Sequence, residues 1–285
     1  MMRRLIVRIL SSNITPYIVI LLILVFLLTP YYWIIISSFK SWEEIYRLPP
    51  TFIPEKPTLK AYIDCIFYTG TRARPSTYFT NTVIIAVSTT VIVALASTLT
   101  AYGLSHYRYK GSEVISRAYL LTRTIPPLSL LISFYQIFLQ LGLINNLLSV
   151  IIWQIYMEYP FQTWLIKLFF DAFPRELIDS AKVDGCSRTG TLFRIVLPVT
   201  APAIAAMSVL VFSSSWSTFI APMIFLHDHS KMPITVGIWE FVTDEYTLWS
   251  DVAAFGMLGC IPTLIFFIVA QKHIIKGLTA GALKY

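Results

Sequence analysis

Residues 174–198 read PRELIDSAKVDGCSRTGTLFRIVLP, and the interpretation of the whole chain begins with this stretch. A proline at its start and Gly185 further on are the pair that typically bounds a short helix. On such a helix Leu177, Ile178 and Ala181 share one face. Because a helix this short is unstable alone, we expect its apolar face to pack against another protein surface.

The polar residues of the same stretch predict more local structure. Arg175 and Asp179 are spaced to pair across one helical turn. Beyond Gly185, Ser187 is placed to cap a second element. Pro198 and Pro202 are expected to restart the chain as the next hydrophobic segment.

The composition around this stretch is that of a membrane protein. Of 285 residues, 56% are hydrophobic and only 13% are charged, whereas soluble domains carry roughly 25% charged residues. Too few polar side chains are present to cover globular surfaces, which excludes the soluble class. We expect an all-α membrane protein that uses the lipid bilayer as its apolar surround.

Six stretches are long and apolar enough to cross the bilayer, since a spanning helix needs about 20 residues. Residues 1–13 are predicted to be a cytoplasmic N-terminal tail, and 14–285 a transmembrane domain with a cytoplasmic loop at 171–200 between spans four and five. The first span continues too far to be a cleaved signal. The predicted spans lie near 14–39, 79–104, 115–140, 147–170, 201–225 and 251–271.

The distribution of Lys and Arg sets the direction of these spans. With the N-terminus inside, 14 basic residues fall in cytoplasmic segments and seven in external ones. This bias predicts that both termini are cytoplasmic and that the chain lies in the plasma membrane. The basic residues are scattered over separate segments, so nucleic-acid binding is not expected.

Catalytic and metal-binding patterns are missing from the sequence. The three cysteines have no CxxC spacing, and the His227–His229 cluster lacks the three or four convergent ligands of a metal site. Residues 185–192 have the glycine spacing of a phosphate loop without its lysine. We therefore expect no enzyme, no metal and no cofactor in this chain, and any ATP must be bound by a separate subunit.

Two ionisable residues fall inside predicted spans, and such residues are costly enough to be functional candidates. Arg123 in span three and Glu158 in span four lie at similar depths, and they are expected to pair or to face a shared polar path. Alternatively, Arg123 extends to the interface. Polar candidates for the same path in span five are Ser213, Ser214, Ser215, Trp216 and Ser217.

The pattern E-A-A, three residues, G, nine residues, I-x-L-P is typical of the membrane subunits of ABC importers. Here it reads Asp179-Ser180-Ala181, then Gly185, then residues 195–198 as I-V-L-P. Both spacings match, while Asp179 and Ser180 replace the usual Glu and Ala. The sequence thus resembles this family in the segment expected to contact a partner.

Other matches are similar to the second permease subunit of maltose-type carbohydrate importers, and they run from end to end of the chain. One departure is Trp216-Ser217-Thr218-Phe219, where many relatives have Trp-Asn-Glu-Phe. The matching segments are Ser37-Ser38-Phe39-Lys40, Asn81, Ala101-Tyr102, Ile125-Pro126-Pro127 and Gly277-Leu278-Thr279-Ala280-Gly281-Ala282.

The resemblance implies that residues 174–198 form a coupling helix seated in a cytoplasmic ATPase. Its implied partners are a homologous permease subunit, a dimer of ATPase subunits that bind ATP and Mg, and an extracellular solute-binding protein contacted by residues 226–250. The implied cargo is a sugar or oligosaccharide. The residues implied in docking are Glu176, Leu177, Ile178, Asp179, Ser180, Ala181, Asp184, Gly185, Ile195, Leu197 and Pro198.

Two readings from other classes stay open. One is an ion- or proton-coupled secondary transporter that uses Arg123 and Glu158 as a relay, although no internal repeat of the kind common in such transporters is visible. The other is a membrane scaffold in which the apolar face around Leu177 and Ile178 binds a protein other than an ATPase.

Overall fold

The computed structural model describes residues 15–67, 73–107, 109–242 and 247–282. Within these ranges the chain is helical, with no strand and one isolated bridge between Val242 and Thr247. The predicted tail at 1–13 lies outside the described residues, as does part of the 226–250 loop.

The helices follow the predicted apolar segments. Three are close to prediction, whereas the last extends well beyond residue 271. In chain order they are α1 Thr15–Ser37, α2 Trp42–Ile45, α3 Lys60–Phe67, α4 Pro75–His106, α5 Ser112–Leu121, α6 Pro127–Gln140, α7 Leu147–Asp171, α8 Arg175–Val183, α9 Arg188–Thr191, α10 Leu197–Trp216, α11 Ile220–Phe225, α12 Ile234–Gly237 and α13 Trp249–Ala282.

Four helical segments of the described residues are long and apolar enough to cross a membrane. They are Pro16–Ser37, Pro75–His106, Arg188–Trp216 and Trp249–Val269. Helix α7 has the length but not the hydropathy, because Gln154, Glu158 and Gln162 interrupt its apolar residues. The count of six spans therefore stays a prediction.

The third predicted span, at 115–140, is not one continuous helix. Helix α5 ends in a 3₁₀ turn at Thr122–Thr124, and α6 begins afresh at Pro127. Between them Ile125 is extended, with φ −79° and ψ 123°. A residue before proline is disfavoured in the helical region, so Pro126 breaks the span at this point.

The fifth predicted span, at 201–225, has different bounds at both ends. Helices α9 and α10 join through a π-helical turn at Leu192–Val196, so Pro198 and Pro202 lie within a continuous helix and do not restart it. A wider turn tolerates the missing N–H and the bulk of proline. At the other end α10 stops at Trp216, and the separate helix α11 follows.

The chain divides into two compact units. The first comprises residues 1–68 and 238–258. Within it, α1 is exposed from Pro16 to Ile35. The segment after α1 is held by buried Glu44, whose carboxylate accepts hydrogen bonds from the Thr51 hydroxyl at 2.6 Å and the Glu55 amide at 3.0 Å.

The second unit comprises residues 69–237 and 259–285 and contains the sites discussed below. Helices α4, α7 and α10 pack together at its centre. At one end of these helices, a buried cluster joins Tyr102 of α4 and Phe170 of α7 to Ile178 of α8, Val196 of the π turn and Met207 of α10. The short helix α8 is therefore tied directly to three long ones.

Candidate functional site

Helix α8 has the boundaries that its sequence predicts. Pro174 precedes its first residue, and Gly185 follows its end with φ +79°. The amides of Gly185 and Cys186 donate to the carbonyls of Lys182 and Ala181 at 3.1 and 2.9 Å. This is the left-handed ending that glycine allows.

The apolar face of α8 is covered mostly by its own chain. Ile178 is 7% exposed and packs in the cluster that holds Phe170 of α7, and Ala181 is 3% exposed. Leu177 remains 47% exposed. The predicted docking face is thus split, because Leu177 points away from the cluster that holds Ile178.

The predicted pair of Arg175 and Asp179 is wrong. The Asp179 carboxylate instead accepts a hydrogen bond from Lys182 Nζ at 2.8 Å. Arg175 and Lys182 each lie within one helical turn of Asp179, and Lys182 makes the contact. Arg175 has no ion-pair partner among the residues that the structure describes.

The residues that the sequence assigns to docking form a mostly exposed surface on α8 and the turn after it. Ile178 and Ala181 are the buried exceptions, and Ile195 and Leu197 are half-buried. The exposed members are Glu176, Leu177, Asp179, Ser180, Asp184, Gly185 and Pro198.

The connection from α8 to α10 is built as expected at its start. The Ser187 hydroxyl accepts a hydrogen bond from the Gly190 amide at 3.1 Å and caps α9. Leu192 and Val196 are buried in the cluster that also holds Ile178. A displacement of α8 would therefore press on α10 through packed side chains as well as through the backbone.

A polar cluster joins three helices away from α8. One guanidinium nitrogen of Arg123 lies 3.4 Å from the Glu158 carboxylate, and the Ser214 hydroxyl donates to the same carboxylate at 2.7 Å. The Arg123 guanidinium also lies 4.9 Å from the ring centre of Phe161. The contact between Arg123 and Glu158 that the sequence suggested is present in the structure.

The exposure of this ion pair is unequal. The Arg123 side chain is 42% exposed and that of Glu158 13%. Arg123 occupies the 3₁₀ turn where the predicted third span breaks. The positively charged Arg123 side chain therefore lies directly before the break, where the backbone departs from a regular α-helix.

Of the other path candidates, Ser214 contacts Glu158, whereas the hydrogen bonds of Trp216 and Ser217 lie elsewhere. Trp216 is 5% exposed, and its indole N–H donates to the Gly259 carbonyl at 3.0 Å. The Ser217 hydroxyl donates to the Ser213 carbonyl at 2.8 Å, within the last turn of α10. These three residues stabilise the end of α10 and its packing.

One predicted path candidate, Ser214, and further residues that were not predicted complete the polar cluster. Ser214 and Phe161 contact the ion pair directly, and Tyr159, the residue after Glu158, bonds the Thr100 hydroxyl at 2.8 Å. Ser214 stood in the same serine-rich run as Ser213. Sequence spacing alone does not determine which serine of this run faces Glu158.

Metal ligation has no support among the described residues, where no group of three or more His, Cys, Asp or Glu side chains could hold an ion. Asp228 instead accepts hydrogen bonds from the Ser230 amide and hydroxyl, at 2.9 and 2.7 Å. These bonds lower the pKa of the Asp228 carboxyl.

Curated relatives match nearly the whole chain. The chain is 30% identical to the sulfoquinovosyl glycerol transport system permease protein of Agrobacterium fabrum, covering 90% of this chain and 89% of the relative. It is 32% identical to the trehalose/maltose transport system permease protein of Thermococcus litoralis, covering 93% and 94%.

A solved structure matches the fold. A chain from the crystal structure of a bacterial ABC transporter involved in the import of the acidic polysaccharide alginate superposes with a TM-score of 0.79. The identity is 22%, and the match covers 91% of this chain and 95% of that chain.

Residues 93–279 match the family described as binding-protein-dependent transport system inner membrane component. The chain belongs to that family.

Proposed function

We propose that this chain is the permease subunit of an ATP-driven importer for a sugar or oligosaccharide. The observation that carries the proposal is family membership over residues 93–279 together with relatives that are permeases for glycosides and disaccharides. In this role the chain forms half of a translocation path and performs no catalysis itself.

The proposed topology has six spans with both termini in the cytoplasm of a plasma-membrane protein. The broken segment α5–α6 and the polar helix α7 supply the third and fourth spans. Their polar residues are tolerated because they face other helices or a water-filled path. The excess of Lys and Arg in the segments assigned to the inside supports the direction.

The proposed coupling element is α8 with the turn after it. Its exposed residues Leu177, Asp179 and Asp184 contact a cytoplasmic ATPase, whereas buried Ile178 fixes the helix to the permease. The ATPase dimer binds ATP and Mg, closes, and moves α8. Packing of α8 against α4, α7 and α10 carries this movement into the membrane as a rigid-body displacement.

The proposed path includes the Arg123 and Glu158 pair. A half-exposed arginine in a membrane-spanning segment needs water or polar groups beside it. A path shared with a homologous permease subunit meets that need. Substrate arrives on an extracellular solute-binding protein, as the family description implies.

The test is reconstitution of the chain with its sister permease, ATPase and binding protein in proteoliposomes. We expect uptake of a radiolabelled sugar from a panel of glycosides and oligosaccharides, and this uptake should require internal ATP. Omission of the binding protein or the ATPase should abolish it. Uptake that persists with a proton gradient and no ATPase would instead favour the secondary-transporter alternative based on Arg123 and Glu158.

A further inference from the structure

An open cavity of about 300 Å³ lies beside α8 in the second unit. Residues from the ends of α4 and α7, from α8 and from the connection after it line the cavity. Aromatic surface comes from Tyr102, Tyr107 and Phe170, and three basic residues, Arg175, Lys182 and Arg188, also contribute to the lining. The polar path does not use this cavity, and the sequence motif does not account for it.

The two acidic residues of the lining are already bound by lysines. The Asp171 carboxylate accepts from Lys167 Nζ at 2.7 Å and from the Ser105 hydroxyl at 2.6 Å. Asp179 accepts from Lys182 at 2.8 Å. Neither carboxylate is therefore left to balance the arginines.

The two arginines of the lining carry uncompensated charge. Neither Arg175 nor Arg188 has an acidic partner within the described ranges. Both are exposed, and the Arg188 guanidinium lies 5.0 Å from the ring centre of Tyr107. The cavity thus combines aromatic walls with two guanidinium groups that have no acidic partner among the described residues, which suits a carboxylate better than a neutral or basic group.

We propose that this cavity receives an acidic side chain of the ATPase subunit, bound by Arg175 and Arg188. The inference rests on the proposed function and adds the chemistry of the partner's contact. Arg175 belongs to α8 itself, so a subunit seated on the exposed residues of α8 also reaches the cavity. Since both arginines are exposed, an ion pair formed there is screened by salt, and its salt dependence can be measured.

The experiment uses the complete transporter, purified through a tag on this chain. Arg175→Glu and Arg188→Glu should each lower the ATPase subunit retained in about 150 mM salt by tenfold or more, because each places a negative charge against the incoming carboxylate. The neutral variants Arg175→Gln and Arg188→Gln should weaken the dependence of retention on salt, because they remove one ion pair.

Arg194→Glu is the matched control, since Arg194 is an exposed arginine of the same connection and does not line the cavity. It should retain the ATPase at the original level. An equal loss in Arg194→Glu would mean that general positive charge attracts the ATPase, and the inference would be overturned. Unchanged salt dependence in both glutamine variants would overturn it as well, even where a reversal variant fails to fold.

Leu177→Asp separates this inference from the proposed function. Leu177 is exposed on α8 and does not line the cavity. If Leu177→Asp releases the ATPase while both arginine reversals retain it, α8 docks but the cavity is not used. If none of these variants changes retention, the docking assignment of α8 fails too.

Discussion

Gly185 has a backbone conformation that few other residues adopt. Its φ of +79° ends α8 and directs the chain toward Ser187. Proline fixes φ near −65° and removes the N–H that bonds Lys182. We expect Gly185→Pro to distort the end of α8 and to reduce both ATPase retention and sugar uptake by about tenfold, roughly 1.4 kcal/mol.

Gly103→Ala is the control for this substitution. Gly103 lies in α4, where an added Cβ meets nothing within 4 Å. Alanine favours the helix, so uptake and retention should both stay unchanged. Normal ATPase retention and uptake in Gly185→Pro would remove the coupling assignment.

The Arg123 and Glu158 pair gives a second test at the level of single residues. Reversal of either charge places like charges at the 3.4 Å contact, and reversal of both restores opposite charges. Since Arg123 is 42% exposed, we expect a modest coupling energy of about 1 kcal/mol between the two sites. Uptake should therefore recover in the double variant relative to either single variant.

A charge-neutral change at Ser214 controls for the rest of this polar cluster. Ser214→Ala removes one hydrogen bond to Glu158 and leaves both charges in place. It should reduce uptake less than either reversal does. Purely additive effects of the two reversals would show that the contact between Arg123 and Glu158 has no functional role.

At the scale of elements, α8 has an inner and an outer side that can be altered separately. Ile178→Ala opens a gap in the buried cluster and should cost about 2–5 kcal/mol of stability. Leu177→Asp alters an exposed position and should leave the melting temperature of the isolated permease unchanged. Only the first variant should lower that temperature, whereas both should lower ATPase retention.

This pair of variants can contradict the proposed role of α8 in either direction. A stable Ile178→Ala permease would mean that the cluster does not hold the helix. Full ATPase retention in Leu177→Asp would mean that the outer side of α8 is not a docking surface.

The break between α5 and α6 supports another prediction at this scale. Replacement of both Pro126 and Pro127 by alanine removes the restriction on Ile125 and favours a continuous helix. A continuous helix would replace the backbone turn that now holds Arg123 beside Glu158. We expect assembly with the ATPase to persist while sugar uptake falls at least tenfold. Pro262→Ala is the control, because Pro262 already lies within the unbroken helix α13.

The elements were predictable where the signal was local. Apolar runs identify α1, α4 and α7 closely, and Gly185 identifies the end of α8. Two prolines in the sequence indicate the break at Pro126. The prediction of one span at 115–140 instead followed the length of the apolar run. The continuity through Pro198 depends on a π turn, which arises from packing and has no sequence spacing of its own.

Side-chain partners were less predictable than helices, because they depend on rotation and competition. Asp179 has a basic residue one turn away on each side, and sequence spacing favoured Arg175 whereas Lys182 makes the contact. The cavity at α8 draws its lining from segments between residues 102 and 191. Only the packing of α4 against α7 brings those segments together.

At the scale of the whole molecule, the native cysteines report topology. Cys186 is half-buried in the connection after α8, a segment predicted to be cytoplasmic. Cys65 is buried in α3, outside the predicted spans, and burial raises the pKa of its thiol to about 12. Since the thiolate is the reactive form, Cys65 should stay unlabelled at neutral pH.

The expected result with a membrane-impermeant maleimide therefore differs between the two faces. In a variant that keeps only Cys186, labelling should occur in inside-out vesicles and be absent from right-side-out vesicles or intact cells. Bound ATPase should slow the reaction, because Cys186 lines the cavity beside α8. Labelling of Cys186 from outside would reverse the predicted direction of every span and place α8 where no cytoplasmic ATPase reaches it. A variant that keeps only Cys65 should resist the reagent from both faces until the protein is denatured.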